Sequence, residues 1–292
     1  MSAAEQTGAA PAEQSTDDLV LAERRGAVLV LTFNRPDRLN AWNNDLENRY
    51  FELLDQAEDD PEVRAIVVTG AGRGFCAGAD MGGLQRIERA AGRSVRPRPR
   101  NFPRAVGKPT IAAINGAAAG LGLIEALFCD VRFCAREAKL TTAFAKRGLI
   151  AEYGLSWILP RLVGPSRALD LLLSSRVILG EEAERIGLVD FVADRDDVLD
   201  AAVAYAADLA ANCSPWSMAA MKQQVLRHMD TDFQTAVAES DALMLESFER
   251  TDVREGVASY VEKRPPAFAP LAPRAERDAT TSDAPAAAGA PA

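Results

Sequence analysis

The sequence contains a single histidine, His228, and four cysteines, Cys76, Cys129, Cys134 and Cys213, none of them in CxxC spacing. A serine–histidine–aspartate triad, a cysteine–histidine pair or a multi-histidine zinc site would therefore have to use His228. That residue lies near the end of a predicted helix, where the helix dipole alone favours a histidine. We interpret the cysteines as reduced thiols, because a chain of 292 residues needs no disulfide frame.

Long apolar runs and an excess of positive charge are also missing. No run approaches the roughly 18 apolar residues of a membrane span. The start, Met-Ser-Ala-Ala-Glu-Gln, has neither the basic flank nor the apolar stretch of a signal peptide. The chain has 33 basic and 42 acidic residues, a net charge of −9, which argues against a general nucleic-acid binder. We therefore expect a cytoplasmic protein with neither a membrane nor a nucleic-acid partner.

The middle of the chain alternates short apolar runs with helical patterns. The runs predict strands at 28–33, 65–69, 110–114 and 130–134, and apolar residues from Trp42 to Ala57 recur at helical spacing. This alternation predicts an α/β core over residues 18–195, built from βαβ-type units.

The rest of the chain divides into a helical region and two tails. Residues 196–268 show helical patterns only, with a helix start at Ser214-Pro215 and a stop at Pro265-Pro266. Residues 1–17 and 269–292 lack a hydrophobic period, so we expect both to be disordered tails.

Two glycine-rich segments, residues 70–81 and 115–122, each follow a predicted strand directly. Small residues let a ligand approach the backbone closely, and a helix that starts after such a turn presents free N–H groups. Two such loops can direct one N–H each to the same oxygen, which is an oxyanion hole. Glycine-rich turns also serve simply as turns. Neither segment has the Gly-Lys-Ser/Thr ending of a P-loop or the GxGxxG of a dinucleotide-binding turn.

Six segments carry a resemblance to a known family. In order they read NRPDRLNA (34–41), GFCAGADM (74–81), KPTIAAING (108–116), CDVR (129–132), IGLVD (186–190) and EKRPP (262–266). As a set, over residues 18–268, they resemble the enoyl-CoA hydratase/isomerase (crotonase) superfamily. The resemblance implies a crotonase-like spiral of ββα units with a helical C-terminal region, assembled as a homotrimer or a dimer of trimers. It also implies an acyl-CoA thioester as substrate, with coenzyme A entering only as part of that substrate and no metal.

Matching positions one by one, the resemblance places the oxyanion N–H donors on Ala77 and Leu121. Further positions that it implies to contact the substrate or line its acyl pocket are Gly78, Ala79, Asp80, Gly120, Ile124, Phe144, Trp157 and Lys263. We also expect Asp80 to cap the helix that follows it.

The acid/base residues differ from those of hydratases in the family, which carry glutamates at the positions of Ile124 and Phe144. Glu125 is one residue away, a turn of about 100° on a helix, and is an alternative, displaced acid. Glu152 aligns with a segment where isomerases of the family carry their catalytic Asp or Glu, and its apolar neighbours should raise its pKa. The alternative role for Glu152 is a helix-start carboxylate. Tyr153 is a candidate to orient it. We predict double-bond isomerisation through Glu152, with hydration as the alternative.

The segment 86–108 concentrates positive charge. It contains eight basic residues and one acidic residue, Glu88. The basic residues are Arg86, Arg89, Arg93, Arg96, Arg98, Arg100, Arg104 and Lys108. Coenzyme A phosphates are one candidate partner, and a solvated loop is the alternative. A member of the family that binds a CoA ester or RNA without catalysis is a second functional hypothesis, although only Phe102 supplies an aromatic ring for base stacking.

Overall fold

The computed structural model describes residues 15–80 and 98–277. The strands are β1 (Val20–Arg25), β2 (Val28–Phe33), β3 (Ala65–Gly70), β4 (Gly74–Cys76), β5 (Thr110–Ile114), β6 (Ala117–Ala119), β7 (Val131–Ala135), β8 (Lys139–Thr141), β9 (Ile178–Leu179) and β10 (Phe191–Ala193). The α-helices of these ranges are α1 (Asn44–Asp59), α2 (Leu121–Phe128), α3 (Leu155–Val163), α4 (Pro165–Ser174), α5 (Gly180–Arg185), α6 (Val198–Asn212), α7 (Pro215–His228), α8 (Phe233–Glu249) and α9 (Thr251–Glu262).

A six-stranded sheet has the order β1-β2-β3-β5-β7-β10. The β1–β2 pair is antiparallel and the other four pairs are parallel. Each predicted strand is present, with ends within one residue of the prediction. Strands β3 and β5 are buried along their whole length because both faces of this sheet are covered, as is usual for parallel sheets.

A second sheet has the order β4-β6-β8-β9. In each of the successive pairs β3–β4, β5–β6 and β7–β8, the first strand belongs to the six-stranded sheet and the second to the four-stranded sheet. The chain therefore spirals from one sheet to the other. This arrangement confirms the predicted α/β spiral. It also brings the segments after β4 and β6 together, because those two short strands pair in parallel.

Side chains of the large sheet alternate between two apolar clusters, as expected from the period of two along a strand. Ile66 and Val68 lie in the main cluster, whereas Val67 lies in a second cluster on the opposite face. Helix α6 covers that face with small residues four positions apart, among them Ala202 and Ala206. The helical region expected from residue 196 therefore begins with a helix that is part of the core.

The first part of the expected C-terminal tail packs on the core. Leu271 is buried, Arg274 forms an ion pair of 3.0 Å with Asp55, and Arg277 pairs with the buried carboxylate of Glu58. The other expected tail residues, 1–14 and 278–292, lie outside the described part of the chain. No helix in the described residues is long and apolar enough to cross a membrane.

Candidate active site

The two glycine-rich segments touch at the end of the small sheet. A Cβ on Gly78, whose φ is +95°, would lie 2.7 Å from the carbonyl oxygen of Ala119 and 3.9 Å from the amide nitrogen of Leu121. A Cβ on Gly122 would lie 2.0 Å from the carbonyl oxygen of Cys76. Glycine is therefore required at both positions, because any side chain would push the two segments apart.

The backbone N–H groups of these segments are not equivalent. The N–H of Ala77 donates to the carbonyl of Leu39 at 2.9 Å. The N–H groups of Ala79 and Leu121 have no acceptor among residues 15–80 and 98–277. Leu121 is the first residue of α2, where an N–H has no partner within the helix. The structure thus corrects the assignment of Ala77 as a free donor, and Ala79 offers a free N–H two residues further along.

The NRPDRLNA segment holds the first glycine-rich segment in place. The buried side chain of Asn40 accepts a hydrogen bond from the N–H of Arg35 at 2.8 Å. Its amide donates to the carbonyls of Ala71 (3.0 Å) and Gly74 (2.8 Å). Three satisfied bonds on one buried amide fix the path of the chain into β4.

Asp80 ties the same two segments together through its side chain. Its carboxylate lies 2.9 Å from the guanidinium of Arg35 and 3.8 Å from that of Arg38. Arg35 also donates to the carbonyl of Ala41. The helix cap expected for Asp80 would involve residues after 80, which lie outside the described range.

A cavity of about 320 Å³ opens at the contact between the two segments. Eight residues singled out in the sequence line it: Ala77, Gly78, Ala79, Asp80, Gly120, Leu121, Phe144 and Glu152. Residues that the sequence did not single out also line it, namely Arg38, Ala41, Ala119, Thr142, Ala143, Arg147 and Leu149. Arg38 and Ala41 lie in the NRPDRLNA segment and Ala119 lies in the second glycine-rich segment, whereas the other four lie outside the segments that carry the resemblance.

Glu152 enters this cavity from the turn before α3. The turn is left-handed at Tyr153 (φ +52°) and Gly154 (φ +81°), and the carbonyl of Glu152 accepts from the N–H of Leu155 at 2.9 Å. Burial raises the pKa of the Glu152 carboxyl, and the charge of Arg100 opposes that rise. The predicted direction of the pKa shift is therefore confirmed. No ion pair or hydrogen bond within the described residues uses this carboxylate.

Glu125 does not reach the cavity. Its side chain is 1% exposed, and neither carboxylate oxygen has a hydrogen-bond partner in the described residues. Burial raises its pKa well above the ordinary value, the charge of Glu47 adds to the rise, and Arg100 opposes it. Glu47 itself accepts from the indole of Trp42 and forms an ion pair of 2.7 Å with Arg100. Glu125 is thus a core residue beside a buried ion pair, and its raised pKa favours the neutral form.

Three residues expected at the substrate lie elsewhere. Ile124 is 1% exposed within the main apolar cluster, because its side chain leaves α2 towards the core. Trp157 lines a second cavity instead. Lys263 follows the last residue of α9 in a left-handed conformation (φ +54°) and lines neither cavity of this chain.

The described part of the basic segment contacts the protein itself. Arg98 forms an ion pair of 2.9 Å with Asp55, and Lys108 donates to two backbone carbonyls at 2.6 Å each. Burial lowers the pKa of Lys108 to about 8. Arg104 stacks on Trp157, with 5.0 Å between the guanidinium carbon and the ring centre. The remaining bases, Arg86, Arg89, Arg93 and Arg96, lie outside the described residues.

Neither His228 nor any of the four cysteines lines this cavity. His228 lies at the end of α7, with its ring nitrogen 3.2 Å from a carboxylate oxygen of Glu239. The four cysteines are unpaired, and burial raises the pKa of Cys76 to about 12. Within the described residues, no group of three or more His, Cys, Asp or Glu side chains is arranged to hold a metal ion.

Comparisons of sequence agree on one family. A model of the family "Enoyl-CoA hydratase/isomerase" matches residues 23–270. The chain is 33% identical over 264 residues to the 1,2-epoxyphenylacetyl-CoA isomerase of Escherichia coli K12, covering 86% of this chain and 98% of that protein. It is 40% identical over 211 residues to the probable enoyl-CoA hydratase echA12 of Mycobacterium leprae, covering 68% of this chain and 72% of that protein.

Solved structures agree with this result. The enoyl-CoA hydratase of Mycobacterium tuberculosis H37Rv superposes with a TM-score of 0.80 at 32% identity, covering 86% of this chain and 98% of the other. The enoyl-CoA hydratase EchA12_1 of Mycobacterium marinum is 51% identical and superposes with a TM-score of 0.62. The match covers 71% of this chain and 96% of the other. The matching motifs, the spiral fold and these relatives together establish that the chain belongs to the enoyl-CoA hydratase/isomerase family.

Proposed function

We propose that this protein moves a proton along the acyl chain of a coenzyme A thioester, shifting a carbon–carbon double bond, with Glu152 as the acid/base. One observation carries the proposal. A carboxyl of raised pKa lines the same cavity as two free backbone N–H groups, those of Ala79 and Leu121. Proton abstraction next to a carbonyl requires two kinds of group. One is a base whose pKa is near the working pH, and the other is a set of hydrogen-bond donors for the carbonyl oxygen.

The two N–H groups stabilise the charge that develops on the thioester oxygen. When a proton leaves the carbon beside the thioester carbonyl, that oxygen becomes an enolate, and each donor is worth about 3–4 kcal/mol in the transition state. Both donors belong to the backbone, so the side chain at Leu121 is free to be something other than the glycine found in many members of the family.

Glu152 acts twice on the substrate. Its ionised carboxylate takes a proton from the carbon next to the carbonyl of a 3-enoyl thioester, and the electron pair moves to the thioester oxygen. The protonated carboxyl then returns that proton two carbons further along, while the double bond moves next to the carbonyl. No net acid, base or oxidant is consumed.

Isomerisation is favoured over hydration by the small number of carboxylates. Hydration in this family uses two glutamates, and the equivalent positions hold Ile124 and Phe144. The other described carboxylate at the cavity, Asp80, is paired with Arg35 at 2.9 Å. Glu125 lies in the core. A single free carboxyl suits a reaction that takes a proton and gives it back.

The test is mass spectrometry of 2-enoyl-CoA and 3-enoyl-CoA after incubation with the enzyme in D₂O. A shifted double bond with no added water supports the proposal, and any deuterium gained reports exchange of the Glu152 proton with solvent between the two steps. A Glu152→Gln variant should lose about 100- to 10,000-fold in rate. Glu125→Gln is the matched control, because it removes a carboxyl outside the cavity. Addition of D₂O across the double bond would instead establish a hydratase.

We further propose that the helical C-terminal region packs against other copies of the chain, as a homotrimer or a dimer of trimers. Phe233, Val237, Met244 and Phe248 lie on one face of α8 and are exposed, and no residue of α8 is buried in the single chain. Exposed apolar stripes of this kind mark interaction surfaces.

A further inference from the structure

A second cavity, of about 360 Å³, lies next to the candidate active site. Its walls come from the segment after residue 98, from α2 and from the start of α3. Tyr153 and Gly154 line it, and they directly follow Glu152, which lines the first cavity. The turn that carries the acid/base therefore borders both cavities.

The second cavity combines apolar walls with one cation that forms no ion pair within the described residues. Phe128, Trp157 and Ile158 supply the apolar surface, and Arg104 supplies a half-buried guanidinium. Burial lowers the pKa of Arg104, with Asp130 and Asp230 opposing that shift from a distance. No carboxylate of the described residues forms an ion pair with Arg104, whose one recorded side-chain contact is the ring of Trp157.

Neighbouring arginines are neutralised, which sets Arg104 apart. Arg100, which also lines this cavity, is paired with Glu47 at 2.7 Å. Arg98 is paired with Asp55, and Arg161, on the same Trp157 ring at 3.8 Å, has Asp230 at 3.9 Å. Arg104 thus leaves the cavity with a net positive charge. A half-buried cation without an ion-paired carboxylate favours an anionic ligand.

Arg100 is close to the residues of both cavities. Arg100 lies at the wall of the second cavity, with its guanidinium carbon 4.6 Å from the centre of the Tyr153 ring. Its charge also acts on the carboxyl of Glu152 in the first cavity. An acyl chain that starts at the free N–H groups and passes Glu152 would continue into the second cavity.

We infer that the second cavity binds the far end of the acyl group and selects chains that end in a carboxylate, with Arg104 as the residue that recognises it. The inference rests on the proposed function, since it takes the thioester to lie in the first cavity. The apolar walls accommodate the methylene groups of such a chain. The planar guanidinium offers paired donors that match the geometry of a carboxylate.

The test compares two saturated thioesters of equal length, hexanoyl-CoA and adipoyl-CoA, by isothermal titration calorimetry. Neither has a double bond, so binding is measured apart from the reaction. In the wild-type protein adipoyl-CoA should bind about tenfold more tightly, the effect of one hydrogen-bonded ion pair. Arg104→Met should abolish this preference, and Arg104→Lys should keep part of it.

Arg161→Met is the matched control, because it removes a cation from the same Trp157 ring but outside the cavity, and it should leave the preference intact. Equal or tighter binding of hexanoyl-CoA by the wild type overturns the inference without any variant. An equal loss of affinity for both ligands in Arg104→Met also overturns it, since the guanidinium would then contact the coenzyme A phosphates. Failure of both thioesters to bind overturns the proposed function as well.

Discussion

The buried carboxyl of Glu125 leads to a specific prediction about the dependence of stability on pH. The side chain is 1% exposed, and neither oxygen has a partner within the described residues. Burial raises its pKa well above 4.5, so the native protein holds this carboxyl neutral at a pH where the unfolded chain has released the proton. Replacing it with glutamine, which is neutral at every pH, should remove that difference.

The sign follows from proton binding in the two states. Below pH 4.5 the carboxyl is protonated in both states and adds no pH dependence. Above pH 4.5 the native state binds more protons than the unfolded state, so the free energy of unfolding of the wild type falls as the pH rises. The fall amounts to about 1.4 kcal/mol for each pH unit, until the raised pKa is reached. Between pH 4.5 and the raised pKa the wild type should therefore lose stability relative to Glu125→Gln at this rate.

Urea unfolding at pH 5, 6, 7 and 8 measures this difference. The slope with pH is diagnostic, because any loss of packing in Glu125→Gln is constant across the series. Glu125→Met, which buries no polar group, should be more stable than the wild type at every pH above 5. Glu182→Gln serves as a control that should show no slope in this range, since a hydrogen bond from Arg176 lowers the pKa of Glu182 and its pH dependence therefore falls below pH 5. A difference between Glu125→Gln and the wild type that does not change with pH would refute the reasoning.

Three other predictions concern the site and the surface. Gly78→Ala should lower kcat by about a hundredfold, because its Cβ would meet the carbonyl of Ala119 and separate the two N–H groups, whereas Gly26→Ala, also at a positive φ but with open space around it, should not alter activity. Arg100→Met should move the rising limb of the kcat/KM profile to higher pH, because the charge that opposes the raised pKa of Glu152 is lost; an unchanged limb in a folded variant would exclude Glu152 as the base. Light scattering should find assemblies larger than one chain, and Phe233→Glu should shift them towards the monomer, whereas the same charge placed by Gln234→Glu should not.

Much of the fold was readable from the sequence because its strands are continuous apolar runs. Strands β2 and β5 have the predicted ends, and the pairing of β4 with β6 brings together the two glycine-rich segments. The six motifs that resemble the family indicated the order of these elements along the chain. Eight of the eleven residues predicted for catalysis or substrate binding line one cavity.

The remainder depends on contacts between residues far apart in sequence. Whether the N–H of Ala77 or of Ala79 is free is decided by Leu39, whose carbonyl takes the first of them. Whether the side chain of Ile124 points to the core or to the cavity depends on how α2 packs against the core. The helical pattern of one segment does not show how that helix is oriented on its neighbours. The same limit applies to α6, whose alanine stripe is equally compatible with a sheet and with another helix.

The contacts of α1 with both ends of the described chain have a practical consequence. Asp17 lies 3.6 Å from Arg49 near the middle of α1, and Arg277 pairs with Glu58 near its end. With a rise of 1.5 Å per residue, these two attachment points are about 13 Å apart along the helix. A short linker spans that distance, so the protein is suited to circular permutation, with the old ends joined beside α1 and new ends opened in a surface loop. It also means that fluorescent labels at residues 16 and 277 would report on one face of the molecule together.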